Sequence, residues 1–188
     1  MLEGTKVNLR APEMDDLERN ARWVNDREVT RFLAMRYAMS RLAEESWLRG
    51  RAGQPLSYEN ALFAIETKDG RHIGNVGLER TVPEDRKAML GIMIGEKDCW
   101  SQGYGTDAIV TLLRFGFDEM NLNKVWLTCY AFNHRGQAAY RKCGFVEEGR
   151  LREARYSEGA YHDELLMSVL RDEFYALHGA TRAEEVAR

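Results

Sequence analysis

The order of apolar and polar positions predicts a chain that passes several times between strand and helix. Residues 6–9 alternate in polarity and indicate a strand, whereas residues 105–120 carry apolar side chains at three- and four-residue spacing, as helices do. Three apolar or alternating runs, separated by turn signals, indicate an antiparallel meander in the middle of the chain. These runs are residues 61–66, 75–80 and 88–94.

The rest of the chain adds helices at its start and a strand–helix succession after the meander. Two early helices are expected, one reaching about Asn25 and one over residues 40–51 with Ser40 as its N-cap. The later elements are a strand at 124–131, a helix at 134–142, and strands at 146–155 and 164–170. This order predicts a mixed α/β sheet with a parallel step at one crossover.

Length and charge narrow the class of protein. The chain has 188 residues, of which 44% are hydrophobic and 30% charged, so we expect one domain over residues 1–178 and a flexible tail at 179–188. Twenty-seven basic residues face thirty acidic ones, which disfavours binding to nucleic acid. Because no apolar run is long enough to span a bilayer, we predict a cytoplasmic protein without a membrane partner.

Cysteine and histidine positions give no sign of a metal site. Cys99, Cys129 and Cys143 are widely spaced and lack a C-x-x-C pair, so reduced structural thiols are expected. The histidines form no ligand cluster with them at zinc spacing. We therefore expect no metal.

A glycine-containing loop is the sharpest local motif. Trp100-Ser101-Gln102-Gly103-Tyr104-Gly105-Thr106 lies between an apolar strand and the strongest helix pattern in the chain. Glycines let the backbone approach a ligand closely, and N–H groups at the start of a helix bind anions. The same residues also suit a plain tight turn, and the longer G-x-G-x-x-G pattern is absent because position 108 is Ala.

A second group of residues supports the ligand-binding interpretation of this loop. Asn133 follows a predicted strand, and Tyr140 and Gly144-Phe145 come after it, so that all four residues lie within 13 positions. With the glycine loop upstream, this order resembles the GNAT superfamily of acetyl-CoA-dependent N-acetyltransferases, over residues 6 to about 174. The segments 22–26, 100–109, 133–145, and 148–149 with 159–163 are similar to the branch that contains ribosomal-protein alanine and serine N-acetyltransferases and spermidine acetyltransferases.

The resemblance implies a fold and a set of site residues. The fold would be a mixed, mostly antiparallel twisted sheet with a parallel step at the central crossover, flanked by about four helices. Acetyl-CoA would be the co-substrate, and acetyl would pass directly to an amine in a ternary complex. Main-chain groups of the loop would hold the pyrophosphate, the strand before it and Asn133 would hold the pantetheine arm, and Tyr140 would be the general acid. The implied cofactor-binding residues are Ile92, Met93, Ile94, Gln102, Gly103, Tyr104, Gly105, Thr106 and Asn133.

The sequence departs from the family pattern in the loop and at the base. Ser101 and Gln102 stand where the branch usually has Gly-Lys, and Thr128 stands where some protein N-terminal acetyltransferases carry a Glu. Glu79 and Glu96 remain as bases acting through water, although surface carboxylates would fit the same positions. A free α-amine has a pKa of about 7.7–8.0 and loses its proton more easily than a lysine near 10.4, so we favour an α-amine acceptor.

Several acceptors stay open beside a protein or peptide N-terminus. A polyamine, an amino acid or an aminoglycoside-like amine would also fit the chemistry. The acidic residues of 13–18 could line a polyamine pocket or simply form the first turn of a helix. Among the aromatic residues that would shape the acceptor pocket, we expect one or two to contact the substrate: Trp23, Phe32, Tyr37 and Trp47. A non-catalytic CoA-binding module is the alternative from another class, and a homodimer is a family-level expectation.

Overall fold

Eight strands form one sheet in the computed structural model, which describes residues 1–59 and 61–179. The strands are β1 (Leu2–Glu3), β2 (Val7–Arg10), β3 (Ala61–Thr67), β4 (His72–Val82), β5 (Lys87–Ile94), β6 (Lys124–Tyr130), β7 (Val146–Ser157) and β8 (Ala160–Leu170). Their order across the sheet is β1-β2-β3-β4-β5-β6-β8-β7. The predicted meander is confirmed, since β3, β4 and β5 pair antiparallel.

The described residues contain six α-helices, where the sequence predicts about four. They are α1 (Leu17–Trp23), α2 (Arg27–Thr30), α3 (Arg41–Ala52), α4 (Tyr104–Asp118), α5 (His134–Lys142) and α6 (Arg171–His178). The four predicted helices are α1, α3, α4 and α5. The two additional helices were not predicted because α2 is a single turn and α6 buries one residue, Phe174, so neither produces an apolar stripe.

The parallel step falls between β5 and β6, as predicted, and it is short. The two strands pair from Lys87 with Lys124 to Met89 with Trp126, and their pairing then stops. β5 stays paired with β4 as far as Ile94, whereas β6 stays paired with β8 as far as Tyr130. The sheet is therefore split between the carboxyl ends of its two central strands.

Helix α4 packs across this region and sets the place of the glycine loop. Its residues Ile109, Leu112 and Leu113 are buried in the main core, as their spacing predicts. Gly116 allows close packing, since a Cβ there would lie 3.1 Å from Leu78 of β4. The start of α4 is consequently held beside the end of β5.

Two further expectations concern the ends of the chain and the membrane. The tail predicted at 179–188 lies outside the described residues, except for Gly179. Within residues 1–59 and 61–179, no helix has both the length and the apolar character needed to cross a membrane.

Candidate acetyl-CoA and acceptor cleft

A cleft of about 310 Å³ opens where β5 and β6 separate. One side is formed by the end of β5 and the loop before α4, and another by the exposed face of α5. Three residues of the N-terminal region, Val29, Phe32 and Leu33, complete the lining. The split sheet thus brings the sequence-predicted strand, loop and helix together around one space.

The edge of β5 that faces the cleft offers main-chain groups at alternate residues. Gly95 N donates to Ile73 O of β4 at 2.8 Å, and strand alternation then directs the peptide groups of Met93 to β4 as well. The peptide groups of Ile92 and Ile94 point away from β4, toward the side on which β6 no longer pairs with β5. Met93 lines the cleft but does not offer its peptide groups to it, so the main-chain pairing expected of residues 92–94 falls to Ile92 and Ile94.

One of these groups is already occupied. The indole Nε1 of Trp100 donates to Ile94 O at 2.8 Å. Ile92 N–H and C=O and Ile94 N–H are therefore the strand groups that a ligand in the cleft can use.

The glycine loop turns sharply into α4. Ser101 and Gly103 have φ angles of 60° and 88°, and Gly103 is the N-cap of the helix. The first N–H groups of a helix have no intrahelical acceptor, and here they belong to Tyr104, Gly105 and Thr106. Gly103, Gly105 and Thr106 line the cleft. The arrangement suits an anion, because N–H groups and the positive end of the helix converge on the loop.

Gln102 and Tyr104 lie on the side of the loop that faces Lys6. Lys6 Nζ donates to Gln102 O at 2.9 Å and lies 5.8 Å from the ring centre of Tyr104. Asp107 of α4 accepts hydrogen bonds from the backbone N–H groups of Lys6 and Val7 at 2.7 and 2.9 Å. These contacts tie the loop to the start of β2. The side chains of Gln102 and Tyr104 do not line the cleft.

Asn133 combines a structural contact with a free donor. Its Oδ1 accepts a hydrogen bond from Gly136 N at 2.9 Å and caps α5. Its Nδ2 has no hydrogen-bond partner among the described residues, and the residue lines the cleft. The cap fixes the side chain, so the amide N–H groups are positioned to meet a carbonyl oxygen of a ligand.

Tyr140 lies on the cleft face of α5 with its ring against Phe145, 5.9 Å between ring centres. Burial raises the pKa of its hydroxyl well above the ordinary value, and the neighbouring Cys129 and Cys143 act in the same direction. Burial also raises the pKa of the Cys129 thiol to about 11 and that of Cys143 to about 12. Tyr140 therefore keeps its proton at neutral pH.

The two candidate bases have different surroundings. Glu96 accepts hydrogen bonds from Trp23 Nε1 at 2.9 Å and Arg71 Nη2 at 2.7 Å, and it also pairs with Arg22. Burial acts to raise the pKa of Glu96, but the contacts with Trp23 and Arg71 outweigh it and lower the pKa. Glu79 is exposed on β4, and its Oε1 would lie 3.8 Å from a Cβ at Gly91 of β5. Neither carboxylate lines the cleft.

Arg135 was not predicted as a site residue from the sequence. This residue lines the cleft, with its guanidinium 4.0 Å from the ring centre of Trp100 and 5.6 Å from that of Phe32. No carboxylate of the described residues pairs with it, and burial lowers its pKa. Its place two residues after Asn133 is the signal that could have identified it.

Of the four aromatic residues expected near the acceptor, Phe32 lines the cleft. Trp23 is 2% exposed and packs against Gly95, whereas Tyr37 is 86% exposed. Trp47 on α3 is 39% exposed and also lies away from the cleft lining.

Comparison with known proteins identifies the class. Residues 6–146 match the family described as the acetyltransferase (GNAT) domain, so the chain belongs to the GNAT acetyltransferases. It is 32% identical over 115 residues to a putative ribosomal N-acetyltransferase of Bacillus subtilis, a match that covers 61% of this chain and 62% of the relative. It is 30% identical over 112 residues to spermidine N(1)-acetyltransferase of Vibrio cholerae, covering 60% of this chain and 64% of that protein. The matches thus span about three fifths of these curated relatives.

Solved structures agree with this assignment over a longer span. A spermidine N-acetyltransferase from Vibrio cholerae, in complex with CoA and spermine, superimposes with a TM-score of 0.80 at 27% identity, over 90% of this chain and 98% of that one. A GNAT-family acetyltransferase from Bacillus anthracis gives a TM-score of 0.79 at 17% identity, covering 91% and 98% of the two chains. The second likeness concerns the fold alone.

The residues of the cleft fit CoA chemically. A thioester with a pantetheine arm needs amide partners along its length and donors at its phosphates. The free edge of β5 and Asn133 Nδ2 supply the first, and the start of α4 supplies the second. A Cβ at Gly105 would lie 3.6 Å from Ile94, so the helix start and the strand already touch and frame one narrow passage.

Proposed function

We propose that this protein transfers acetyl from acetyl-CoA to a primary amine, with a protein or peptide N-terminal α-amine as the acceptor. The observation that carries the proposal is the split between β5 and β6, which has a protonated tyrosine on one wall and a helix N-terminus at its edge. Aminolysis of a CoA thioester needs a space for the thioester, a proton donor and a site for the phosphates. The split sheet, Tyr140 and the start of α4 supply these three parts in one place.

The reaction follows from the groups present. The neutral amine attacks the thioester carbonyl carbon, forming a C–N bond while the carbonyl oxygen gains negative charge. One N–H group of the free β5 edge, that of Ile92 or Ile94, stabilises that oxygen. The C–S bond then breaks, and the departing sulfur takes the proton of the Tyr140 hydroxyl. The amine nitrogen releases its extra proton to water, and the tyrosine is reprotonated from solvent.

The amine itself removes the need for a strong base. At pH near 7.5 a substantial fraction of an α-amine with a pKa of about 7.7–8.0 is already neutral. Glu96 is held in ion pairs and Glu79 lies outside the cleft lining, so no side chain is assigned as the base.

Acetylation of a polyamine is the second candidate. It is supported by the spermidine N-acetyltransferases among the relatives and by the solved complex of one of them with CoA and spermine. A non-catalytic CoA-binding module is the third.

The first test is thiol release from acetyl-CoA against separate pools of Ala- and Ser-starting peptides, polyamines, amino acids and an aminoglycoside. We expect turnover with the peptides. The rate should rise with pH as the α-amine loses its proton, and it should not fall again below about pH 10, because the raised pKa of Tyr140 moves the loss of its proton to higher pH. Binding of CoA without thiol release from any pool would contradict the proposal and favour the non-catalytic module.

A further inference from the structure

The wall of the cleft formed by the N-terminal region carries an excess of arginines. Phe32 and Leu33 line the cleft, and all other lining residues except Val29 come from the strand, loop and helices that we assign to CoA. The acceptor therefore enters past Phe32 and Leu33, and the charges around these two residues meet it first.

Arg155 of β7 is fixed against this wall. Its Nη2 donates to Leu33 O at 3.2 Å, and its guanidinium lies 5.2 Å from the ring centre of Tyr130. The hydroxyl of Tyr130 donates to the same carbonyl oxygen at 3.2 Å. Arg155 Nε is buried and has no hydrogen-bond partner among the described residues. The wall thus holds a positive group with an unused donor.

Three more arginines surround the same aromatic residues. Arg31 lies 6.0 Å from the ring centre of Phe32, and Arg135 lies 5.6 Å from the same ring centre. Arg36 is exposed and close enough to Tyr130 to act electrostatically on its hydroxyl. Among the residues that the structure describes, two carboxylates have contacts that place them here: Glu158, which pairs with Arg31 at 3.2 Å, and Glu164, which is opposite Tyr130 across the β6–β8 ladder. Four cations against two anions leave the entrance positive.

The carboxylates that a polyamine would need are bound elsewhere. Asp16 is buried and accepts two hydrogen bonds from Arg10, and Glu18 pairs with Arg41 at 2.7 Å. Glu96 pairs with Arg71 and Arg22, as described above. The acidic residues that could have formed a polyamine pocket are therefore neutralised by partners of this chain, or lie away from the cleft.

We propose that the acceptor is an amine with a carboxylate a few bonds away, which the arginines at the entrance bind, and that polycations are poor substrates. This inference rests on the proposed acetyl transfer and specifies its acceptor. The carboxylate can come from two sources: an acidic side chain near a peptide N-terminus, or the carboxyl group of a free amino acid. Opposite charges across an entrance raise the encounter rate and exclude like-charged partners.

The experiment uses the full chain and pairs of acceptors that differ only in charge. One pair is a Ser-starting peptide with two acidic residues next, and the same peptide with two lysines. A second pair is free glutamate and its α-amide, in which the carboxyl group beside the amine carries no charge. Spermidine is the polycation. We expect kcat/KM for the acidic peptide to exceed that for the lysine peptide by about tenfold at low salt, with the ratio shrinking as ionic strength approaches about 0.5 M. Glutamate faster than the peptide would assign the amino-acid source.

Arg36→Glu is the variant that tests the entrance itself. The side chain is exposed, so the fold should be preserved, and the acidic-to-basic ratio should fall by about fivefold or more while CoA affinity stays unchanged. Arg152→Glu, an exposed change on β7, is the matched control and should leave the ratio close to that of the parent. If spermidine or the lysine peptide were acetylated faster than the acidic peptide, this inference would be overturned and acetyl transfer would stand. The same holds if the acidic-to-basic ratio were unchanged in Arg36→Glu. Failure to acetylate any amine would overturn both.

Discussion

The two sides of the cleft are held by different kinds of contact. The CoA side consists of consecutive elements, β5 to α5, whose geometry follows from helix caps, strand alternation and apolar spacing. The acceptor side, residues 24–39, contains a single helical turn and is held by contacts from distant segments, such as those of Tyr130 and Arg155 with Leu33 O. Local pattern therefore positions the side of the cleft that we propose for CoA, whereas long-range contacts position the side that we propose for the amine.

The largest expected effect concerns the CoA side. Tyr140→Phe removes the proton donor, so kcat should fall by about 10²–10⁴-fold while CoA affinity is retained. Steady-state rates and calorimetric binding of CoA measure the two quantities. Tyr161→Phe, at an exposed position of β8, is the control and should match the parent. A Tyr140→Phe enzyme with normal kcat would remove the general-acid assignment.

A second prediction concerns Asp16, the buried N-cap residue of α1. Asp16 accepts hydrogen bonds from Arg10 and lies 3.0 Å from His72 Nδ1, and His72 Nε2 lies 2.9 Å from Gly74 O. Burial acts to raise the pKa of Asp16, but the contacts with Arg10 and His72 outweigh it and hold the pKa well below its ordinary value. Asp16→Asn should lower the free energy of unfolding by about 3–5 kcal/mol at neutral pH.

The sign of the pH dependence follows from that lowered pKa. The stabilisation by Asp16 is complete above the unfolded-state pKa of about 3.9 and is lost as pH falls through the folded-state value. Urea unfolding at about pH 7 and about pH 3 should therefore show a smaller difference between parent and variant at the lower pH. Asp15→Asn, an exposed change in the same turn, serves as control. An equal difference at both pH values would contradict the assignment.

The third prediction separates strain from ligand contact in the glycine loop. Gly103→Val places a side chain at a φ of 88° beside the anion site, and CoA affinity should fall by about ten- to hundredfold. Gly70→Val is a matched control, because Gly70 has a φ of 87° in the β3–β4 turn, with no neighbour within 4 Å of its Cβ position. Both variants should lose stability, and Gly103→Val alone should lose CoA affinity. Equal affinities in the two variants would contradict the binding of the CoA pyrophosphate by the glycine loop.

The smallest effect is expected at the acceptor wall. Tyr130→Phe removes one hydrogen bond to Leu33 O, worth about 0.5–1.5 kcal/mol, so the acceptor KM should rise by about two- to tenfold with kcat nearly constant. Initial rates at varied acceptor concentration measure this change. A rise in the KM for acetyl-CoA instead would show that this wall contributes to the binding of acetyl-CoA and not of the acceptor amine.

The same contrast explains what the sequence could predict. The helix at 134–142 coincides with α5 and the antiparallel meander is confirmed, because both depend on spacing within a short segment. The parallel step is confirmed because it follows from the order of strands and helices along the chain. Helices α2 and α6 were not predictable in this way. Neither was the carbonyl oxygen of Leu33, which accepts hydrogen bonds from two side chains. A backbone carbonyl that binds Tyr130 and Arg155 leaves no mark in the sequence near residue 33.

For the candidate site, it was easier to predict which residues take part than to predict where their peptide groups and side chains point. The strand at 88–94 indicates which residues border the cleft, but Met93 differs from its neighbours only through the register of β5 on β4. Likewise Glu96 follows that strand in sequence, yet its partners Arg22 and Arg71 come from other segments.

The alternating edge of β5 has a consequence for the exchange of amide hydrogens with solvent. The N–H of Met93 is directed at β4 and should exchange slowly, whereas those of Ile92 and Ile94 face the cleft and should exchange quickly in the free protein. A pantetheine arm pairing with this edge would slow the two fast amides and leave the middle one as it was. Three consecutive residues would then record, in deuterium uptake, both the register of the strand and the presence of the ligand.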